Sequence, residues 1–455
     1  MLMSALGIIG ILVSMALLII FVYKDMTNVY VAFICAAIVC ITNGLPVLDT
    51  LLGTYLGTVG GWMATGFVFA VIGSVFGTIY DQSGAAASLC NFLLEKLSRT
   101  KDHEEAIKDR NTQKKLVLMG VTCIMVVELL MTWTGISGVI VVVASIPMVK
   151  AVAKTARIPK CYLPGLIMAG SSAAMAGPGS PCIGNITASG ILGTPSTSAL
   201  IPGLIGSAFI FFAALFYMYF VICRGIDKGV PYEGFDNEEH TLSKPKQNFV
   251  FTLIPLLFVF VTYSLLQLEL VICMVGAIVL ALLLFCVVGA KEKHFSYGNT
   301  VGMLNDGIKT GAYVYFTVAA LMGFASVVQA TDSFQTVIGF VTSLPGHPLL
   351  IGTISVVVFT LLTASPPAAI QLALPAFIPV IESGALSATA LHRVAVVSTT
   401  TFESMPYCGA AIIAVSSCGT TFRESYKHCF VVSVLITLAA SFLETFILMA
   451  FPGLA

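Results

Sequence analysis

Long apolar runs dominate the sequence and restrict the chain to structures that a lipid bilayer accepts. Crossing ~30 Å of hydrocarbon takes about 20 apolar residues in a helix. Runs of that length lie near residues 5–23, 58–80, 199–222, 248–267, 270–289, 303–330 and 428–450, and a shorter run covers 28–44. Only 10% of the residues are charged, against roughly 25% in ordinary soluble proteins. The sequence therefore predicts an all-α polytopic membrane protein and excludes a soluble globular enzyme.

The charged residues are balanced and give no basic field for a polyanion. Lysine plus arginine and aspartate plus glutamate number 22 each, so we expect no nucleic-acid partner. The sequence contains neither HExxH nor GxxxxGK[ST], the motifs of zinc proteases and of ATP-driven proteins. Its twelve cysteines form no CxxC pair, and we expect no metal site and no cofactor. The predicted activity is secondary transport, and the protein is predicted not to be an enzyme.

Basic residues set the expected orientation. Segment 95–115 contains seven lysines and arginines, whereas segment 45–57 contains none. Since basic loops stay in the cytoplasm, the first segment is predicted inside and the second outside. Counting spans from there puts both termini outside a bacterial-type inner membrane. The N-terminal run is interpreted as a first span and not as a cleaved signal.

The apolar stretch between Lys115 and Lys150 is too short for two crossings. It holds 34 residues, whereas two spans and a turn need more than about 40. We predict a re-entrant hairpin over about 116–149 that turns at residues 132–137. Non-helical backbone at membrane depth is tolerated only where protein or a cavity surrounds it, so the polar tip is a candidate binding site.

An interrupted helix follows this hairpin, and the same pair of features occurs again later in the chain. Glycines and prolines at 177–181 break the first helix, and residues 399–406 break the second. Such residues leave backbone groups without intrahelical partners. The second hairpin is predicted over about 349–383, with its tip at the position that matches the first.

The recurrence divides the chain into a first repeat (1–222), a cytoplasmic linker (223–247) and a second repeat (248–455). Each repeat is predicted to contain five transmembrane helices and one re-entrant hairpin, so the two repeats are inverted. Inverted repeats with discontinuous helices at the membrane midplane are the build of secondary transporters.

Polar residues of the four interrupted segments form the predicted substrate site. They are Thr132, Thr134, Ser137, Ser171, Ser172, Asn185, Thr363, Ser365, Gln371, Thr399, Thr400 and Thr401. No lysine or arginine belongs to this set, so hydroxyls, amides and helix N-termini would hold an anion. That favours a small organic monocarboxylate, since each further buried charge needs more compensation. The alternative interpretation is that these small polar residues only allow close helix packing.

Acidic residues inside the apolar stretches are candidates for ion coupling, because a carboxylate at membrane depth is costly. Glu403 lies in the second interrupted helix and Glu128 lies one turn before the first hairpin tip. Glu444, in the last span, is interpreted as a structural group. The histidines fall near predicted helix ends and in loops, so no histidine relay is expected.

Residues 60–99 and 128–200 resemble the gluconate permease family of carboxylate:proton symporters, in the larger ion-transporter superfamily. The likeness rests on a glycine-rich span followed by Ser83-Gly84-Ala85-Ala86, and on a hairpin followed by AAMAGPGSPCIGN. At the hairpin tip this chain has a threonine where the family has a glutamate, and the second segment lacks the family's histidine. The resemblance implies symport of sugar acids or short hydroxy and keto acids, such as gluconate or 3-hydroxybutyrate, and allows a homodimer.

Three alternatives stay open. The coupling ion is predicted to be a proton, with sodium as the alternative. A citrate or dicarboxylate carrier of the same superfamily would need more cationic help than the predicted site offers. A channel or an intramembrane enzyme would show no ion-driven accumulation or would alter its substrate chemically.

Overall fold

The computed structural model describes residues 2–24, 26–83, 85, 109–133, 138–180, 182–232, 234, 249–262, 266, 268–284, 297–342 and 344–455. These residues are helical or form connections, and none of them lies in a strand. Thr134 and Ser137 of the predicted site, residues 95–108 and most of the predicted linker lie outside the described residues. The described chain confirms an all-helical protein.

The first half consists of helices of very different length. They are α1 (Leu2–Tyr23), α2 (Asn28–Thr42), α3 (Val47–Thr50), α4 (Leu56–Gln82), α5 (Arg110–Trp133), α6 (Gly138–Ala156), α7 (Leu163–Ala176), α8 (Ile183–Leu192) and α9 (Leu200–Asp227). A π-helical turn, Leu51–Tyr55, joins α3 to α4. Helix α9 continues to Asp227, five residues past the boundary predicted at 222.

The second half repeats this mixture of long and short helices. They are α10 (Phe249–Phe260), α11 (Leu270–Leu282), α12 (Tyr297–Gln329), α13 (Asp332–Thr342), α14 (Pro348–Thr363), α15 (Pro366–Ala373), α16 (Ile378–Glu382), α17 (Ala388–Thr399), α18 (Gly409–Ser417), α19 (Phe422–Phe430) and α20 (Ile436–Ala450). A π-helical turn, Val431–Leu435, makes α19 and α20 continuous.

Asp109 caps the start of α5. The Thr112 hydroxyl and the Thr112 and Asn111 amides donate to its carboxylate. These donors lower the pKa of Asp109 below its usual range, with the Thr112 hydroxyl as the largest cause. A negative charge at this position also suits the positive end of the helix dipole.

The helix breaks have local causes. Helix α7 ends before Gly177-Pro178, and Gly179 then adopts a left-handed φ of 75°. Between α14 and α15, Ala364 has a φ of 52°, although it carries a Cβ, and Pro366 starts the next helix. Proline lacks an N–H and a left-handed residue turns the chain, so neither helix can continue.

The interrupted segments pack in a reciprocal way. We call α5–α8 (residues 110–192) the first unit and α14–α18 (residues 348–417) the second unit. Within them α5 packs on α6 and α7, and α14 packs on α15 and α17. Helix α8 of the first unit packs on α15 and α17, while α18 of the second unit packs on α6 and α7. The last helix of each unit is therefore held by the other unit. Outside the units, α12 packs along α4 and α2.

Several described helices suit a bilayer. Four are long and apolar enough to cross a membrane by length and composition, namely Arg110–Trp133, Leu200–Asp227, Thr300–Gln329 and Phe422–Ala450. Phenylalanines such as Phe212 and Phe216 are exposed on α9. Helix α5 reaches this length because it starts at Arg110, upstream of the predicted hairpin arm. The re-entrant path of α5 and α6 therefore stays a prediction.

Candidate functional site

The ends of three short helices meet between the units. A Cβ placed on Gly184, in the first turn of α8, would lie 3.4 Å from Thr399 Oγ1 at the end of α17 and 3.9 Å from Pro366 Cβ at the start of α15. The first turn of α8, the start of α15 and the break after α17 therefore share one place in the fold. Of the predicted substrate residues, Thr399 lies at this place, and Asn185 follows Gly184 in the first turn of α8.

Helix α8 offers backbone donors at this place. Its N-cap residue, Cys182, makes no side-chain cap. The first intrahelical hydrogen bond runs from the Ile186 amide to the Cys182 carbonyl, at 3.1 Å, so the amides of residues 183–185 precede it. Unpaired amides at a helix N-terminus favour an anion. Helix α15 contributes less, because its first two residues are prolines without an N–H.

The threonines at the helix ends offer acceptors instead of donors. Thr399, Thr400 and Thr401 are buried, and their hydroxyls donate to the Val396, Val397 and Ser398 carbonyls at 2.7–2.8 Å. Each hydroxyl has a single hydrogen and two lone pairs. With the hydrogen used inside the helix, these groups can accept from a substrate hydroxyl or ligate a cation. Thr363 likewise donates to the Phe359 carbonyl, and it receives the Ser365 amide.

Glu128 lies at a second polar cluster, inside the first unit. Its side chain is fully buried on α5, where Ser145 of α6 and Ser171 of α7 contact its two carboxyl oxygens. Thr132 donates to Ser171 at 3.2 Å. The structure thus brings together three of the predicted residues, Glu128, Thr132 and Ser171, and adds Ser145. Ser172 is also buried on α7.

Asn185 is the centre of a network that joins the units. Its amide donates to the Gly177 and Ser180 carbonyls at 3.1 and 2.8 Å, which holds the first break in shape. Its carbonyl oxygen receives Arg393 Nη2 at 3.2 Å and lies 3.1 Å from His392 Nε2. Both the amide nitrogen and the carbonyl oxygen of the Asn185 side chain therefore have hydrogen-bond partners.

His392 bonds the far end of α8 as well. Its Nδ1 lies 2.7 Å from the Thr194 hydroxyl, just beyond Leu192. With Nε2–H donating to Asn185 and Nδ1 accepting from Thr194, the neutral Nε2–H tautomer satisfies both contacts. Histidine 392 was expected near a helix end, but it lies inside α17 and is fully buried.

Arg393 places a cationic side chain against Asn185, a member of the predicted set, although no lysine or arginine belongs to that set. It is fully buried, and its Nε lies 4.0 Å from Glu444 Oε2 on α20. The side chains of Arg393 and Glu444 both pack against glycines of α9. A Cβ on Gly203 would lie 2.6 Å from Arg393 Cδ, and one on Gly206 would overlap Glu444. Glu444, interpreted as structural, is the counter-ion of this arginine.

The remaining predicted residues lie apart from these contacts. Glu403 is partly buried in the connection between α17 and α18, in the neighbourhood of Cys182 and Cys408, and no described residue donates a hydrogen bond to it. Gln371 is exposed on α15, and Ser365 is the N-cap of that helix. Within the described ranges, no group of three or more His, Cys, Asp or Glu side chains could hold a metal ion.

Sequence reasoning missed Arg393, His392, Ser145 and Cys182. A signal for Arg393 was present, because LHRVAVV places an arginine inside an apolar run that also contains the break. A buried arginine requires a counter-ion, and Glu444 was an available acid in the spans. The cysteines gave a second signal, since Cys182 and Cys408 are the N-caps of the matching helices α8 and α18.

Comparison with known proteins points to transport. The sequence matches no family model. It is 22% identical to a protein named uncharacterized transporter YxjC, from Bacillus subtilis (strain 168), and the match covers 94% of this chain and 96% of that protein. The shared region includes both units and the helices between them. This likeness and the apolar helices support a membrane transport protein.

Proposed function

We propose that this protein is a secondary active transporter that carries a small organic monocarboxylate together with a proton. One observation carries the proposal: the last helix of each interrupted unit packs against the other unit, and the uncapped start of α8 lies next to the start of α15 and the end of α17. Interrupted helices that meet between two repeats are where secondary transporters bind substrate. The distant relative named as a transporter agrees with this class.

The reciprocal packing supports an inverted repeat. The contacts of α8 with α15 and α17 correspond one by one to those of α18 with α6 and α7. Each unit runs from a hairpin to an interrupted helix in the same chain order, with Thr132 matching Thr363 and Cys182 matching Cys408. We place the repeats at 1–222 and 248–455, joined by a cytoplasmic linker.

The charges near the site favour one carboxylate. The amides of residues 183–185 supply one anion site. The Arg393 charge is already compensated by Glu444, so it leaves no spare cation for a second carboxylate. The acceptor lone pairs of Thr399 and Thr400 suit a hydroxyl-bearing acid. Gluconate, 3-hydroxybutyrate and short keto acids are the proposed substrates, in keeping with the resemblance to the gluconate permease family.

One observation favours a citrate or dicarboxylate carrier as the second candidate. Among the described residues, Arg393 Nε and Nη1 have no hydrogen-bond partner, and a second carboxylate could accept from them if Glu444 moved away. Sodium is the alternative coupling ion, because threonine lone pairs at the end of α17 could ligate it. We place the protein in the inner membrane as a non-enzyme, with both termini outside and with a homodimer as the proposed assembly.

Uptake by proteoliposomes tests the proposal. Vesicles with purified protein receive labelled gluconate, 3-hydroxybutyrate, pyruvate, citrate or succinate under an inward proton gradient, an inward sodium gradient or neither. We expect accumulation of one of the monocarboxylates under the proton gradient and recovery of the substrate unchanged. Protein-free vesicles are the control. Accumulation only of citrate or succinate would favour the second candidate, and a chemically altered product would contradict transport.

A further inference from the structure

The contacts around Glu128 form a chain of oxygen atoms that crosses three helices. Thr132 Oγ1 of α5 lies 3.2 Å from Ser171 Oγ of α7, which lies 3.4 Å from Glu128 Oε2. Glu128 Oε1 contacts Ser145 Oγ of α6, and Ser145 Oγ lies 3.1 Å from the Val142 carbonyl. The chain contains four contacts and ends at a backbone carbonyl that can only accept.

Counting hydrogens shows which protonation state this chain fits. Each hydroxyl brings one hydrogen. Thr132 gives its hydrogen to Ser171, Ser171 gives its own to Glu128, and Ser145 has two acceptors within reach, Glu128 Oε1 and the Val142 carbonyl. With one hydrogen, Ser145 can serve only one of these acceptors, and both contacts are hydrogen-bonded when a protonated Glu128 donates to Ser145. An ionised Glu128 leaves three hydrogens for four contacts.

The charged surroundings agree with a neutral carboxyl. No described cationic group forms an ion pair with Glu128. Helix α7, packed against it, carries no titratable side chain. Cys418, after α18, lies in the neighbourhood of both Glu128 and Lys150 of α6, and Lys154 lies one turn farther along α6. Ionisation would therefore leave a buried carboxylate without a counter-ion, which is strongly unfavourable.

We propose that Glu128 is the group that binds the coupled proton, and that its protonation decides whether the Ser145 hydrogen bonds to the Val142 carbonyl of α6 or to the Glu128 carboxylate of α5. This inference rests on the proposed function and deepens it. On release, the Glu128 O–H bond breaks and the proton passes to water on the side to which the site opens. The carboxylate then draws the Ser145 hydrogen away from the Val142 carbonyl, so the hydrogen bond that is lost lies within α6, and the bond between Ser145 and Glu128 remains with Ser145 as its donor.

The position of the chain links the proton to the substrate site. Thr132 ends the chain at the last turn of α5, and its carbonyl oxygen lies 3.7 Å from the Sγ of Cys182, the N-cap of α8. The proposed proton site therefore lies on α5, the helix whose last turn contacts the N-cap of α8. Glu403, the other candidate, lies in the connection between α17 and α18. No described residue there donates a hydrogen bond that would change when Glu403 binds or loses a proton.

Infrared difference spectroscopy of the purified protein tests the protonation directly. Deprotonating the wild type by raising the pH should remove a carbonyl stretch typical of a protonated carboxylic acid, and Glu128→Gln should lack that change. Glu382→Gln, at an exposed glutamate at the end of α16, should keep it. An unchanged band in Glu128→Gln would overturn the assignment, whether or not any substrate is transported.

Transport by the same variants tests the coupling. A glutamine at 128 can donate to Ser145 and accept from Ser171, so Glu128→Gln should fold and remain in the proton-bound form. We expect at least a tenfold loss of proton-driven accumulation with exchange between substrate pools retained, and Ser145→Ala should shift the pH dependence of uptake. Proton-driven accumulation that persists in Glu128→Gln and disappears in Glu403→Gln would overturn the inference. Sodium-driven uptake by the wild type would overturn it too, but would leave carboxylate transport standing.

Discussion

The two units bury charge in opposite ways. In the first unit, Glu128 has only hydroxyl partners among the described residues and can lose its charge by binding one proton. In the second unit, Arg393 keeps its charge at any physiological pH, and Glu444 and Asn185 compensate it from two other helices. The comparison teaches that similar helix geometry can hold a titratable element on one side and a permanent internal ion pair on the other.

The largest expected difference between the units comes from two matched substitutions. Glu444→Gln leaves Arg393 as a buried uncompensated charge and should lower the free energy of unfolding by about 3–5 kcal/mol. Glu128→Gln keeps both hydrogen bonds of a neutral acid and should change it by less than about 1 kcal/mol. Unfolding in mixed detergent micelles measures both. Equal losses would break the comparison.

A second pair of variants separates the two networks. Asn185→Ala removes the amide that donates to two carbonyls of the first break, and it removes the oxygen that accepts from Arg393. The free energy of unfolding should fall by about 1–3 kcal/mol. Ser171→Ala interrupts only the hydroxyl chain and should destabilise by about 1 kcal/mol. The same unfolding assay applies, and a larger loss for Ser171→Ala would reverse the ranking.

The two breaks differ in backbone strain and should respond in opposite directions. Gly179→Ala puts a Cβ on a residue with a φ of 75° and should destabilise by about 1–2 kcal/mol. Ala364→Gly removes a Cβ from a residue with a φ of 52° and should stabilise by about 0.5–1 kcal/mol. Thermal melting in detergent is sensitive enough to show the signs. Destabilisation by Ala364→Gly would mean that the Ala364 methyl group packs usefully.

The smallest expected difference concerns single hydroxyls. Thr132→Val removes a hydrogen bond between α5 and α7, and interhelical bonds in membranes contribute about 0.6 kcal/mol. Thr400→Val removes a bond that stays inside its own helix, so its effect on unfolding should be close to zero. If both variants unfold alike, the hydroxyl chain of the first unit adds no stability.

The parts of the fold that follow from local sequence were predictable. The two helix interruptions were predictable from the glycines and prolines at 177–181 and from residues 399–406. The effect of such residues on a helix is local. The apolar runs announced the helices. Glu128 was singled out because a carboxyl in an apolar run is rare at any position.

The missing parts of the site depend on contacts between distant residues. Asn185 and Arg393 are separated by 208 positions, and no local pattern tells which of several buried polar groups will pair. The sequence also could not show whether the Thr399 and Thr400 hydroxyls donate or accept toward a ligand. A hydroxyl can do either, and the helix geometry determines which carbonyl takes its hydrogen. Sequence therefore located the polar groups but not their partners.

The attachment of α8 to α17 has a consequence for biogenesis. Asn185 leaves the ribosome 207 residues before its partner His392. At 5–20 residues per second, that interval lasts roughly 10–40 s. During this time α8 has been synthesised but lacks its contacts with α15 and α17. A ribosome that stalls between the two halves would therefore leave a fragment in which the Asn185 carbonyl oxygen lacks both His392 and Arg393.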